Sequence, residues 1–494
     1  MDKDIDKKIG RATAWSSVTE LLARIISPLI NMVLARLLAP EAFGVVTTIT
    51  MVISFAEVFS DAGFQKYIIQ HEFENEDELN KSTTVAFWTN LCLSLLICAI
   101  IFVFRHKIAV VVGSPGLGNS ISIATISMIC VAFSSIQTAR FRRSFDFKSL
   151  FFVRMGTSLI PVVVTIPLAL VLKNYWALLI GTISSHMFSA VVLTIKSKWK
   201  PTLFYDFRLF KQMFSFSAWT LLESIAVWVT GYVDIFIVGA FLSSHELGLY
   251  KTTMTTVNAY MAIITSAIIP VLFSSLSRFQ NDDDKFKDTY FSFQRKTALF
   301  VVPMGIGMFL YSDFVVSVLL GSQWMEITRF MGYWGFMSAI SIIFSYFPSA
   351  VYRSKGMPKI SLILQMIHLA FLVPTLIISL KYGFVALYTS RSFIRVQMVI
   401  VDLFVIHFIF GIKMVPIFKN LISIVVSTII MAAIALLMKL ASFPEGPWTI
   451  VSIMICVVVY FSAIFVISKK QRKEIMQFLT GVLKKAKVRL GKGR

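Results

Sequence analysis

The chain has 494 residues, of which 57% are hydrophobic and 15% charged, yet Lys and Arg outnumber Asp and Glu 47 to 26, for a formal net charge of +21. That composition excludes a soluble protein, because a bilayer core calls for about 20 apolar residues per spanning helix, and such stretches fill nearly the whole sequence. Cys92, Cys98, Cys130 and Cys456 all fall inside apolar stretches without the spacing of a zinc site or a redox pair.

The charged start MDKDIDKKIGRATAW leads into an apolar run with no small-residue cleavage pattern, so the first helix is expected to stay. Hydropathy predicts spans at 12–37, 42–64, 82–104, 118–139, 150–172, 174–195, 213–241, 247–277, 291–311, 327–351, 359–380, 383–409, 418–438 and 448–468. The expected fold is an all-α membrane protein of about fourteen transmembrane helices. An even count puts both termini on one side. The even-numbered loops and the tails hold most of the Lys and Arg, and the odd-numbered loops only a handful, which places both termini in the cytoplasm. The cations lie in short loops, such as Arg140, Arg142, Arg143 and Lys148, and in the tail 469–494. That tail reads as a basic amphipathic helix on the inner leaflet or as a disordered solubilising end. Anionic membrane lipid, rather than nucleic acid, is the expected partner of this charge.

Polar side chains recur at helical spacing within four spans. On the first, Thr13, Ser17, Glu20, Arg24, Ser27 and Asn31 share one face; on the second, Thr47, Thr50, Ser54, Glu57 and Asp61 do the same. The seventh carries Thr220, Glu223, Thr230 and Asp234, and the eighth Lys251, Thr255, Asn258 and Thr265. A charge at the bilayer centre costs at least ~2.5 kcal/mol, so one that persists faces a wet cavity or a partner. At 1.5 Å of rise per residue, Arg24 lies about 18 Å into its helix, and Arg391 and Arg395 on the twelfth span lie about 12 and 18 Å in. These three arginines are the candidate anion-binding groups. The competing reading is structural: Glu20 and Arg24, four apart, neutralise each other, and the hydroxyls bond back to their own helices. Arg154, with Ser158, Pro161 and Thr165 on one face of the fifth span, is a weaker candidate. Span prolines at 28, 161, 167, 270, 303, 348 and 374 mark bends. No phosphate-binding loop, GxSxG elbow or HExxH pattern occurs in a suitable loop, so no enzyme is expected.

The chain repeats. LLAPEAFGVV at 37–46 pairs with FLSSHELGLY at 241–250, an offset of 204 that aligns Gly44 with Gly248. ARFRRSFDFK at 139–148 pairs with AVYRSKGMPK at 350–359, offset 211, and WALLIG at 176 with VALYTS at 385, offset 209. Similar offsets over six spans predict two parallel six-helix bundles, 1–200 and 201–412. Two further spans, 413–468, then follow.

The segment LARLLAPEAFGVVTTITMVISFAEVFSDAGFQKYIIQ, 34–70, resembles the N-terminal signature of the polysaccharide transporter family. These are the Wzx-type lipid-linked oligosaccharide flippases of the multidrug/oligosaccharidyl-lipid/polysaccharide exporter superfamily. The residues carrying the likeness include Arg36, Phe43, Gly44, Asp61 and Gly63; helix-end packing is the expected role of Arg36 and Asp61. The resemblance implies two bundles in a V shape around a cavity lined by helices 1, 2, 7 and 8. It also implies a cargo of oligosaccharide on undecaprenyl diphosphate, flipped by alternating access across the bacterial cytoplasmic membrane for surface polysaccharide synthesis. On that reading Arg24, Arg391 and Arg395 hold the diphosphate, for which a guanidinium fork is suited. Ser27, Asn31, Thr50, Ser54, Thr220 and Asn258 are the sugar-facing candidates. Glu20, Glu57, Glu223 and Asp234 are candidates for proton or Na⁺ coupling, with neutralisation of nearby arginines as the other reading; no cofactor or metal is implied. Polysaccharide polymerase and chain-length machinery are conceivable protein partners. A drug or cation antiporter of the same superfamily is the alternative function, and a membrane polymerase or ligase a more distant one.

Overall fold

The computed structural model describes residues 2–61, 63–440, 446–469, 471–473 and 476, with the side chains at 2–10, 12–14, 17, 21, 61, 215–220, 267 and 358 outside that description. The side chains of Asp61 and Thr220, and most of the tail 469–494, therefore lie outside the described residues. Every regular element among them is helical. In chain order these are α1 (Asp2–Leu37), α2 (Pro40–Asp61), α3 (Phe64–Gln70), α4 (Glu76–Val111), α5 (Gly118–Arg143), α6 (Phe147–Ile160), α7 (Ile166–Leu172), α8 (Tyr175–Lys196), α9 (Phe207–Phe241) and α10 (Ser244–Arg278). Then come α11 (Asp283–Leu310), α12 (Ser312–Leu319), α13 (Thr328–Ser341), α14 (Phe347–Ser354), α15 (Pro358–Leu380), α16 (Gly383–Phe393), α17 (Arg395–Phe408), α18 (Met414–Lys419), α19 (Ile422–Leu440) and α20 (Pro447–Ile467).

Local sequence explains where these helices start and bend. Asn75 caps α4 by accepting from the Glu78 amide, ahead of a first turn carrying Glu76, Asp77 and Glu78 that suits the helix dipole. Asn174 and Asp282 cap α8 and α11 in the same way. A 42° bend separates Ser244–Ser266 from Ile268–Arg278. Pro270 accounts for it, since a proline ring clashes with the carbonyl four residues earlier, here that of Ser266. Two π-helical turns, Pro161–Thr165 and Ile342–Tyr346, are each followed two residues later by a proline, Pro167 and Pro348. The wider turn makes room for a residue that cannot donate.

Among the described residues, eleven helices are long and apolar enough to cross a membrane, and up to thirteen if each bent pair counts as one span. The chain is a multi-span membrane protein, but one of the fourteen predicted spans, the twelfth, is not among them. The twelfth predicted span, 383–409, is divided into α16 and α17 at Ile394, which lies between Arg391 and Arg395. Both guanidiniums lie over the ring of buried Trp334, at 5.0 and 3.6 Å from its centre, and the break falls in the turn that brings them there.

The chain packs as two compact units. The first holds Met1–Ala259, Leu319–Ile327 and Leu369–Ser390; the second holds Tyr260–Val318, Thr328–His368 and Arg391–Arg494. In the first, Phe64, Ile68, Phe87 and Ile136 centre an apolar core of α3, α4 and α5. A polar network joins α2, α4 and α5 nearby: Ser60 donates to Asn90 Oδ1 at 2.9 Å and meets Ser94, and Asn90 Nδ2 donates to Ser135 at 2.6 Å. In the second, Leu276, Tyr290, Phe347 and Ile406 centre the core.

The repeat seen in the sequence recurs in the backbone. Phe145 (φ 58°) and Gly356 (φ 74°), 211 positions apart, both turn the chain through the left-handed region. The hydrogen bonds match as well: Asp146 N–H to Phe141 O at 2.9 Å and Met357 N–H to Tyr352 O at 2.8 Å close equivalent turns. In the first unit the offset-204 pair meets itself. A Cβ added to Gly44 would lie 2.7 Å from the Ser244 carbonyl carbon and 3.0 Å from the Gly248 nitrogen. One added to Gly248 would lie 2.7 Å from the Pro40 carbonyl carbon and 3.0 Å from the Gly44 nitrogen. The first turns of α2 and α10 thus cross backbone to backbone, each against its own counterpart.

Candidate functional site

A cavity of about 970 Å³ lies wholly within the first unit. Its walls come from α1, α2, α5, α6, the Pro161–Thr165 turn, α8, α9 and α10. Along α1 it reaches from Ser16 to Leu34, roughly 27 Å of helix. One end is basic, bordered by Arg142 beside the α5–α6 turn; the other stops at Leu34, Phe43 and Lys251, beneath the crossing of Gly44 and Gly248.

Small hydroxyl side chains dominate the polar wall. Thr47 donates to Phe43 O, Thr157 and Ser158 to Arg154 O, Thr182 to Leu178 O and Ser185 to Gly181 O, at 2.8–2.9 Å. Each hydroxyl spends its proton on its own helix, which leaves the oxygen lone pairs as acceptors for a ligand rich in O–H groups. The π turn sets part of this wall: Thr165 packs against Gly181, where a Cβ would collide with its hydroxyl. Charge inside the cavity is unbalanced. Arg142, Arg154 and Lys251 line it together with His186, and Glu20 is the carboxylate among the described lining residues. Glu20 is itself paired with Arg24 at 2.6 Å.

Of the residues singled out in the sequence, Glu20, Ser27, Asn31, Thr47, Thr50 and Lys251 border this cavity, as do the fifth-span face Arg154, Ser158, Pro161 and Thr165 and Phe43 of the signature. Arg24 sits between Glu20 and Ser27 on α1, half-exposed and bound to Glu20. Ser54 lies one turn below Thr50 and accepts from Trp228 Nε1 at 3.0 Å. Glu223 is engaged by Lys66 at 2.7 Å, and buried Asp234 accepts from the Tyr250 hydroxyl at 3.1 Å. Glu57 and Asn258 are described but are not among the lining residues. Arg391 and Arg395 belong to the second unit, over Trp334, where Arg395 also donates to Ser338 at 2.7 Å. The stripes thus contribute one side of the cavity. The other side combines the fifth-span face of Arg154, Ser158, Pro161 and Thr165, the weaker candidate of the sequence, with α8, which was passed over although Thr182, Ser185, His186 and Ser189 recur there at spacings of three and four.

The signature residues gather at the ends of helices. Phe43 meets Trp324 edge-on at 5.3 Å, Gly44 forms the crossing, and Gly63 (φ 81°) opens α3. Arg36 stands in the last turn of α1, where Trp324 Nε1 donates to Ala35 O at 2.7 Å and Gln323 reaches Ala35 O and Leu38 O. Beside them His245 bridges two carboxylates, Nδ1 to Glu41 at 2.7 Å and Nε2 to Glu326 at 3.0 Å.

Comparison with known proteins places these features in context. Residues 33–329 match the sequence model of a family described as polysaccharide biosynthesis protein. The succinoglycan biosynthesis transport protein ExoT of Rhizobium meliloti is 21% identical over 64% of this chain and 64% of its own length. The lipopolysaccharide biosynthesis protein WzxC of Escherichia coli is 20% identical over 63% of each. The chain thus spans just under two thirds of these relatives. Among solved structures, the lipid II flippase MurJ in an inward closed conformation superposes with a TM-score of 0.73 at 16% identity, covering 92% of this chain and 98% of that one. An inward-facing multidrug transporter of the MATE family gives 0.58 at 12% identity, over 79% and 96%. At these identities the likeness concerns the fold.

Proposed function

Because the chain belongs to the polysaccharide biosynthesis protein family, its matched segment taking in more than half of the sequence, we propose that it flips lipid-linked oligosaccharide across the bacterial cytoplasmic membrane. The cargo is an oligosaccharide on undecaprenyl diphosphate, carried by alternating access for lipopolysaccharide, capsule, exopolysaccharide or a teichuronic-acid-like polymer. The observation that carries this reading is the hydroxyl-lined, cation-rich cavity of the first unit. Its acceptor wall suits sugar hydroxyls, its cations suit phosphate, and the lipid tail can stay in the bilayer. Both termini, and with them the basic end of the cavity, face the cytoplasm, in line with the loop charges. Two parallel six-helix halves, 1–200 and 201–412, form the transport body, with the spans of 413–468 appended and the tail 469–494 toward anionic lipid. Arg142 and Arg154 at the basic end of the cavity, with Arg24 on α1, receive the diphosphate, and Ser27, Asn31, Thr50, Ser54, Thr220 and Asn258 turn toward the glycan; Arg391 and Arg395 are separate anion-binding candidates of the second unit. Glu20, Glu57, Glu223 and Asp234 serve proton or Na⁺ coupling. Polymerase and chain-length proteins are the partners on the far side, and no chemistry is performed on the cargo. A drug or cation antiporter would need a cavity dominated by carboxylates and aromatics; here, among the described lining residues, Glu20 is the carboxylate against Arg142, Arg154 and Lys251.

Mass spectrometry of lipid-linked glycans in a strain lacking the protein tests the reading. Unflipped repeat units should accumulate on the cytoplasmic side, and Arg24→Ala, Arg142→Ala and Arg154→Ala should reproduce this with protein still in the membrane. Normal export in all three variants removes the anion site; absence of any lipid-linked glycan in the deletion strain removes the flippase.

A further inference from the structure

The closed end of the cavity holds a cation remote from the basic end. Lys251 lies in the second turn of α10, about 10 Å from its start. It lines the cavity with its amine 5.7 Å from the centre of the Tyr232 ring, and Asn31 and Thr47 belong to the same lining. No carboxylate lies within ion-pair distance of it among the described residues. Asp234 is the acid whose field reaches the amine. That carboxylate is buried outside the cavity lining and is occupied by the Tyr250 hydroxyl and the Ile235 amide, at 3.1 and 2.8 Å. The ammonium therefore faces the cavity with donors to spare. Arg142 and Arg154 border the cavity from α5 and α6, whereas Lys251 stands where it stops, next to Leu34 and Phe43. A single diphosphate is far shorter than the roughly 27 Å of α1 that the cavity follows. It cannot serve both ends, and the lipid tail that fixes it must remain in the bilayer.

We propose that the closed end is a second anion subsite, in which Lys251 with the Asn31 amide receives a carboxylate carried on the glycan. The inference rests on the flippase reading and names its cargo as an acidic glycan. A desolvated ammonium answers a single carboxylate with up to three donors and the Asn31 amide can add another, while Thr47, whose proton goes to Phe43 O, accepts from a sugar hydroxyl. A neutral sugar in the same place would leave the ammonium buried without a counter-charge, a cost that selects against uncharged repeat units.

The test crosses the lysine with the acid. In the deletion strain, mass spectrometry should show a carboxylate on the accumulated lipid-linked glycan. Lys251→Gln should lower export of that glycan about tenfold, the effect of one partly desolvated charge pair, with membrane protein level unchanged, while Lys251→Arg should retain most of it. In cells made to assemble the same glycan without its acidic group, wild-type export should fall to the Lys251→Gln level and the variant should lose nothing more. A neutral glycan in the deletion strain, or an equal loss from Lys251→Gln with and without the acidic group, overturns the subsite and leaves the flippase standing. No accumulated lipid-linked glycan at all overturns both.

Discussion

The crossing of α2 and α10 admits a quantitative test, because a methyl group at Gly44 meets backbone and not a side chain that can swing away. Apolar heavy atoms pack at about 3.5–4.0 Å. A Cβ at Gly44 would find the Ser244 carbonyl carbon at 2.7 Å, so the two turns must part by roughly an ångström. Overpacking of this kind costs about 1–3 kcal/mol, against which alanine returns up to about 1 kcal/mol of helix propensity. Gly44→Ala and Gly248→Ala should each be net destabilising, by up to about 2 kcal/mol. Gly231→Ala on α9 is the matched control: nothing lies within 4 Å of its Cβ position, so only the propensity gain remains and stability should rise. Once one methyl has parted the helices, the second meets less resistance. The double variant should therefore cost less than the two singles together, by about 0.5 kcal/mol or more. Thermal unfolding of the purified full chain in one detergent, read by tryptophan fluorescence, measures all four proteins. Single variants as stable as Gly231→Ala, or strictly additive losses, would refute the close crossing.

Replacing Asn90 by Leu strands Ser60 and Ser135 in a buried site and should cost about 2–4 kcal/mol; the unfolding midpoint in the same detergent reads it, and a shift no larger than that of an exposed substitution would contradict the network. His245→Ala should matter more in acid than in alkali. Two carboxylates on one ring require both nitrogens to donate, which only the imidazolium does, so the bridge is complete at low pH and half lost as pH rises through the histidine range. Both carboxylates are exposed, so the difference in stability between wild type and variant should stay under about 1 kcal/mol. Equal differences at about pH 5 and pH 8 would show that the ring carries no charge-dependent role.

Much of this architecture was legible in the chain because membrane spanning writes itself as length and apolarity. Where the reading failed, local chemistry overrode that signal. The run 383–409 is apolar enough to cross, but Arg391 and Arg395 share the face of one indole, and the helix breaks between them. The cavity was half legible. Stripes on α1 and α2 and the Arg154 face of α6 drew notice because charge in a membrane is costly, whereas the hydroxyl row of α8 carries no such penalty and looks like ordinary helix surface. In the sequence Lys251 is one member of the polar stripe on the eighth span. Its place at the closed end depends on the crossing directly above it, a long-range contact that spacing along one helix does not encode. The repeat was visible as an offset, but nothing in an offset says that matching positions touch.

That touching has an ancestry written into it. A patch that meets its own counterpart about a two-fold axis is the form a homodimer interface takes, so the α2–α10 contact has the geometry of two once-separate copies now joined in one polypeptide. Joining them also lifted a restriction. In a pair of identical copies, position 41 would face itself, acid on acid or imidazole on imidazole; in the fused chain Glu41 faces His245, 204 positions on, and the two sides have been free to become complementary.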